Sequence, residues 1–220
     1  MKQVLIDLHY LPNIEYFTIL SKAEKVWIEA HESFQKQSFR NRTYILTANQ
    51  IERLSIPVIE GNHHTPIREV RIDYSQKWQQ KHWRAITSAY NKSPFFVYYA
   101  DDLEKEIWKG YEFLFDLNFS LLTLCHRWLG LKCKIEFTQS YSTDKNGDFW
   151  DVRSAIHPKK ATGIINVQAY PQVFSNKVKE NFVSNLNILD LLSCEGNHAT
   201  TILQKQSSMF IEQPKQNLSN

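Results

Sequence analysis

The side chains in this chain best suited to chemistry are a few histidines and arginines at separated positions. His9 stands where the first predicted strand ends and the chain turns toward the first predicted helix. In open α/β sheets ligands bind at the carboxyl ends of strands, so an imidazole there is placed to exchange a proton or hold an anion. The plainer reading is a histidine bonded to nearby backbone. His82 follows Trp78 by four residues on a predicted helix, which makes the two neighbours on one face. That pair reads either as a core edge or as a second acid–base group beside an aromatic wall. In Ser38-Phe-Arg-Asn-Arg42, an extended backbone would put Arg40 and Arg42 on one face and Asn41 on the other. Two adjacent guanidiniums match a phosphate or carboxylate by paired hydrogen bonds; the competing reading is a solvated basic edge. Asp151 and Arg153 share one side of an extended segment, with Lys159 soon after, and form either a surface ion pair or an anion pocket. Arg68, which alternates with Glu69, Arg71 and Asp73 along a predicted strand, completes the candidate anion-binding set. His63 and His64 are adjacent and diverge, and the chain lacks the usual ligand spacing, so no metal centre is expected.

Glycine usage narrows the chemistry further. The 220 residues include only six glycines, at 61, 110, 130, 147, 163 and 196, no two closer than the 16 positions from 147 to 163. That spacing removes the P-loop and the dinucleotide-binding turn, which need clustered glycines so that backbone can approach a phosphate. It removes the nucleophile elbow as well. Any phosphate must then be held by arginine, lysine and histidine side chains and by helix N-termini.

Composition sets the class. The chain is 42% hydrophobic, 22% charged and 13% aromatic, which is globular rather than disordered. A net charge of +3 is too small to argue for nucleic acid, which is not expected as a partner. Cys125, Cys133 and Cys194 are an odd set with no C-x-x-C spacing, so a reducing cytoplasm fits better than a disulfide framework. No signal-peptide core is expected at the N-terminus. The most apolar stretch, Phe113 to Leu129, carries Asp116, Asn118, His126 and Arg127, so no membrane insertion is expected.

The elements that must position these groups read as strand from Val4 to Leu11, a break at Pro12-Asn13, helix from Ile14 to Lys22, then strand from Lys25 to Ala30. This is how many α/β domains begin. Strand-like runs at Thr43 to Leu46, Arg53 to Val58 and Ile67 to Ile72 suggest a β-meander. Helical spacing follows over Gln76 to Tyr90, Asp101 to Ile107 and Phe113 to Leu129, with Gly130 as a cap. Asn118 falls on the buried face of the last of these, where an unpaired amide would cost a few kcal/mol. A late strand spans Lys132 to Thr138, and two short helices hinged at Gly196 fill Phe182 to Leu203. Asp190, an acid among apolar residues there, is expected to find a basic partner. The expected fold is α/β: a Rossmann-like central sheet, an inserted meander and a mainly helical C-terminal half, as one domain over 1–203 with a flexible tail over 204–220.

The segments together resemble the WbqC-like family of bacterial proteins. The likeness is carried by His9-Tyr-Leu-Pro12 with Tyr16-Phe17, Phe39-Arg-Asn-Arg42, Leu54-Ser-Ile-Pro-Val58, Thr65-Pro-Ile-Arg-Glu-Val70, Trp78 with Lys81-His82, and Pro94-Phe95-Phe96. Asp151-Val-Arg153, Pro158-Lys159-Lys160, Tyr170-Pro-Gln-Val-Phe174 and Asn185 to Leu192 are similar to the C-terminal elements of one branch. Members commonly read His-Gln-Pro-Asn-Tyr-Leu-Pro where this chain reads Asp7-Leu-His-Tyr-Leu-Pro12. The resemblance implies a link to O-antigen and related surface-polysaccharide gene clusters. With the residues above, it suggests a cytoplasmic transferase acting on an activated sugar or its amino group, by acyl, aminoacyl or nucleotidyl transfer. Its partners would be a small-molecule activated donor and a sugar-type acceptor; no cofactor is identified. His9 and His82 would be the proton-transfer groups, and Arg40, Asn41, Arg42, Arg68, Trp78, Arg153 and Lys159 would bind substrate. The alternative is a non-catalytic scaffold that binds a glycan or a pathway protein. Convergence of His9, Arg42, His82 and Arg153 on one cleft would favour the enzyme.

Overall fold

In the computed structural model, which describes residues 3–59, 61–141, 149–159, 167–177 and 181–207, short apolar runs form a parallel sheet with its helices. The chain runs β1 (Gln3–Ile6), α1 (Ile14–Lys22), β2 (Lys25–Ile28), β3 (Arg42–Leu46), β4 (Ile51–Ser55), β5 (Val58–Ile59), β6 (Arg71–Ile72) and α2 (Trp78–Tyr90). It continues through α3 (Val97–Trp108), α4 (Leu114–Trp128), β7 (Lys134–Phe137), β8 (Trp150–Asp151), α5 (Ile188–Glu195) and α6 (His198–Ser207). The central sheet has the order β7-β2-β1-β8 with every pair parallel. The chain therefore starts in the middle, steps outward through β2 and β7, then returns to the opposite side of β1 with β8. That reversal is a topological switch point, where two strands leave their carboxyl ends facing an open crevice.

The strands are short because polar side chains take over where the apolar runs stop. The predicted first strand, Val4 to Leu11, ends at Ile6, since Asp7 is drawn out of the ladder to accept the Ser154 amide. The meander is a β3–β4 hairpin with Arg42 opposite Ser55, and a separate β5–β6 pair. The predicted strand from Arg53 to Val58 breaks at Ile56-Pro57 because proline cannot donate to a ladder. The predicted strand from Ile67 to Ile72 is mostly a 3-10 turn, Ile67–Glu69, entered from Pro66. Only Arg71 and Ile72 are extended there, so the expected alternation of Arg68 with its neighbours does not exist.

Two helical groups cover the sheet's core. α1 begins where Asn13 accepts the Tyr16 amide, and it packs on α6 and α5. α4 packs on α3 and on the Ile67–Glu69 turn. Gly130, at φ +58°, closes α4: its amide donates to the Arg127 carbonyl and the Leu131 amide to the His126 carbonyl, the two bonds of a Schellman cap. Asn118 donates Nδ2 to the backbone carbonyl of Arg40 at 2.7 Å, while its buried Oδ1 has no partner among the described residues. It fastens the loop after β2 to the core.

The C-terminal helices start at Ile188, where Asn187 accepts the Leu189 amide, and not at Phe182. α6 continues through Ser207, and the buried Gln206 accepts from Thr18, so residues 204–207 are helix, while residues 208–220 of the expected tail lie outside the described residues. Among the described residues Asp190 has no basic partner; it accepts from the Tyr170 hydroxyl at 2.6 Å and the Gln172 amide at 2.9 Å. With neutral donors only, burial pushes its pKa up to about 6. No helix among the described residues is long and apolar enough to cross a membrane.

Gly196 joins α5 to α6 at φ +54°, and a Cβ there would lie 2.7 Å from the Phe95 ring. Gly130 has positive φ too, but its Cβ would meet nothing within 4 Å. Gly196→Ala and Gly130→Ala are each expected to cost about 1–3 kcal/mol for the positive φ, and Gly196→Ala adds the displacement of Phe95. Urea unfolding of both variants checks this; equal costs would contradict the Phe95 contact.

Candidate functional site

Each strand of the parallel sheet hands a polar side chain to the same edge. Asp7 follows β1, Glu29 follows β2, Thr138 follows β7, and Asp151 ends β8 with Arg153 two residues on. The register brings them together: the Glu29 amide donates to the Ile6 carbonyl, Thr138 to Ile28, and Val152 to Leu5. At this edge Arg153 is gripped by Asp151, with Nε 3.0 Å from Oδ1 and Nη2 2.7 Å from Oδ2, while Nη1 reaches Glu29 Oε2 at 2.7 Å. The other Glu29 oxygen accepts from Thr138 Oγ1 and from the His31 amide.

Arg40 is the second guanidinium of the cluster, and it is only 1% exposed. Its Nη2 lies 3.0 Å from Asp7 Oδ2 and its Nε donates to Glu32 Oε1 at 2.7 Å. Asp7 also accepts from His9 Nε2 at 3.0 Å and from the Ser154 amide at 3.0 Å. Burial alone would raise the Asp7 carboxyl, but Arg40 and His9, with the Ser154 amide, hold it well below the usual carboxylate range. Glu32 goes the other way: burial, with Asp7 and Glu29 adding, outweighs Arg40 and pushes it up to about 7. The four carboxylates Asp7, Glu29, Glu32 and Asp151 outnumber the two guanidiniums Arg40 and Arg153, so a proton on Glu32 relieves the excess.

Glu32 and Arg153 line a cleft of about 820 Å³ together with His31, His63, Tyr141 and Ser154. Tyr141 lies under the Arg153 guanidinium at 4.9 Å. A second cleft of about 660 Å³ holds Asn41 and Arg42, and the two share Phe34 and Lys36. Among the described residues no group of three His, Cys, Asp or Glu side chains is placed to hold a metal.

His9, Arg42, His82 and Arg153 do not converge on one cleft, so the convergence expected of an enzyme is not met by these four residues. Arg153 and Arg42 open on the two adjoining clefts. Arg40 does not join Arg42 in an anion clamp, because it turns inward and its charge is taken up by Asp7 and Glu32. His9 is buried behind the cluster, its ring between Tyr16 and Phe39. His82 lies under the hairpin, where Nδ1 meets the Tyr10 hydroxyl at 2.9 Å and Nε2 meets the Ser55 carbonyl at 3.2 Å. Burial pushes its pKa down to about 4, and with both nitrogens occupied it has no route to either cleft. Trp78 is buried edge-on to His82. Arg68 stacks over Phe115 and Phe137, and Lys159 is exposed beside His157; neither lines a cleft with Arg42 or Arg153.

Asp7, Glu29 and Glu32 are the site residues that spacing did not single out. Two carry a readable signal: in Leu5-Ile-Asp7 and Trp27-Ile-Glu29 an apolar strand ends on an acid. Glu32 carries none, because its neighbours Arg40 and Asp7 are brought to it by the fold.

The model of the WbqC-like protein family matches residues 8–166, and the chain belongs to that family. The match takes in Glu32, Arg40, Arg42 and Arg153 and leaves out α5 and α6. Among curated proteins, the chain is 28% identical over 144 residues to the uncharacterized protein Rv1507c of Mycobacterium tuberculosis (strain ATCC 25618 / H37Rv), covering 64% of this chain and 62% of that protein. No solved structure matches the chain.

Because Glu32 is raised from 4.5 to about 7, the stability it contributes is complete below about 4.5 and is lost as pH rises through about 7. Asp7, held low, acts in the opposite sense and loses its contribution only in strong acid. Melting curves between about pH 5 and pH 8 should show a decline in the wild type that Glu32→Gln reduces, leaving the share of Asp190 below about pH 6 in place. A variant that keeps the full decline would contradict the assignment.

Proposed function

We propose that this WbqC-like protein is a cytoplasmic transferase of surface-polysaccharide assembly, acting on an activated sugar or its amino group at the carboxyl edge of the parallel sheet. The observation that carries the reading is Glu32: an acid only 6% exposed that nonetheless lines the larger cleft, beside the sheet's switch point. Transfer to an amine or hydroxyl requires that the acceptor lose a proton. A carboxylate pushed toward neutrality takes it efficiently, since a general base works best with a pKa near the working pH. Glu32 is therefore the proton-transfer residue. Arg153, braced by Asp151 and Glu29, orients the donor across the same cleft. His9 does not touch substrate in this reading; it bonds Asp7, which holds Arg40, which holds Glu32, and so it is a positioning residue. The pathway rests on the family, and three free cysteines support the cytoplasm.

A scaffold role is supported by a separate observation, the exposed Val97 and Tyr98 on α3, which would suit a protein partner. Calorimetric titration with a panel of sugar nucleotides near pH 7, in buffers of different ionisation enthalpy, separates the two. The transferase reading expects at least one nucleotide to bind with net proton exchange, and Glu32→Gln to abolish the exchange. Absence of binding across the panel, or exchange unchanged in the variant, would overturn it in favour of the scaffold.

A further inference from the structure

We infer that the smaller cleft is a phosphoryl-binding site: Arg42 and Lys36 take the phosphoryl oxygens of a ligand, and Asn41 accepts a hydroxyl of the same molecule. Its place in catalysis rests on the transferase reading, because this lobe shares Phe34 and Lys36 with the cleft of Glu32; its binding chemistry stands apart from that reading.

Charge is the first support. Arg42 and Lys36 line this lobe, and among the described residues no aspartate or glutamate does. Arg40, Arg71, Arg127 and Arg153 each pair with a carboxylate, whereas neither Arg42 nor Lys36 has one among the described residues. Satisfaction of polar atoms is the second. Arg42 Nε is buried with no hydrogen-bond partner, and so is Asn41 Oδ1, whose Nδ2 is already committed to the Ile56 carbonyl. A buried guanidinium nitrogen without an acceptor is costly, and a phosphoryl oxygen supplies that acceptor with charge assistance. An unfilled amide oxygen beside it selects a donor, which a sugar or nucleoside phosphate with a neighbouring hydroxyl provides.

Backbone shape is the third. Gln37 adopts φ +60°, a costly conformation for this residue that recurs at ligand sites. Across the lobe a Cβ on Gly61 would fall 2.8 Å from Val58 Cγ2 and 3.1 Å from the Phe34 ring, so only glycine lets that wall close. Phosphate recognition here comes from side-chain cations, as the scarcity of glycine requires.

Two ligand sources share this chemistry, a nucleoside diphosphate and a sugar phosphate. Titration of the full chain with pyrophosphate, UDP and a hexose 1-phosphate distinguishes them. Wild type should bind at least one, and the tighter of UDP and hexose 1-phosphate names the source. Arg42→Gln should weaken that ligand about ten- to a hundredfold with melting temperature unchanged, and Lys36→Met should weaken it too. Glu32→Gln should leave the affinity within a few-fold, so loss of proton exchange there and loss of binding here are separate failures. The inference is overturned if none of the three binds, or if Arg42→Gln binds as wild type does.

Discussion

The structure depends on a buried arginine held between two acids. Arg40 can be inside the protein only because Asp7 and Glu32 meet its guanidinium, and removing one partner from such a set strands a charge in a medium that cannot solvate it. This is more than local stability. Asp7 belongs to the end of β1, and Glu32 and Arg40 to the loop after β2, so the ion set stitches that loop onto the sheet's switch point. Asn118 on α4 holds the Arg40 carbonyl from the other side. Phe34, Lys36 and Asn41, which give the clefts their walls, lie on the segment fixed in this way or adjoining it.

Charge is also sorted along the groove. The larger lobe carries more acid than base, and Glu32 there is pushed up to about 7; among the described residues the smaller lobe carries cations without acids. Asp190 shows what burial does when no cation is supplied: Tyr170 and Gln172 satisfy it and its pKa rises to about 6. Asp7, equally buried, is held low because Arg40 and His9 face it. The same residue type thus reaches opposite protonation behaviour through its partners.

Local rules made much of the fold legible. α1 lies between Pro12-Asn13 and Ala23 as its apolar spacing and the break at Pro12-Asn13 predict, and α4 ends on the expected glycine. Where prediction failed, a proline or a distant contact had intervened: Pro57 splits one strand and Pro66 turns another into a 3-10 segment. The site was harder to read. The pairing of Arg40 with Arg42 assumed an extended chain from Ser38 onward, whereas strand β3 begins only at Arg42, so Arg40 is free to point inward. Its partners include Ser154, 114 positions away, a separation that leaves no periodic trace. His9 was legible as a histidine near a strand end, yet its contact with Asp7 is made only by the fold.

Arg40 and Asp7 act as one unit in holding the loop after β2 to the sheet. A double-mutant cycle on unfolding free energy, with Asp7→Asn, Arg40→Met and the pair, measures it directly. The two substitutions should be strongly non-additive, with a coupling energy of at least about 2 kcal/mol. Additivity within about 0.5 kcal/mol would mean the two residues act independently and would contradict the account.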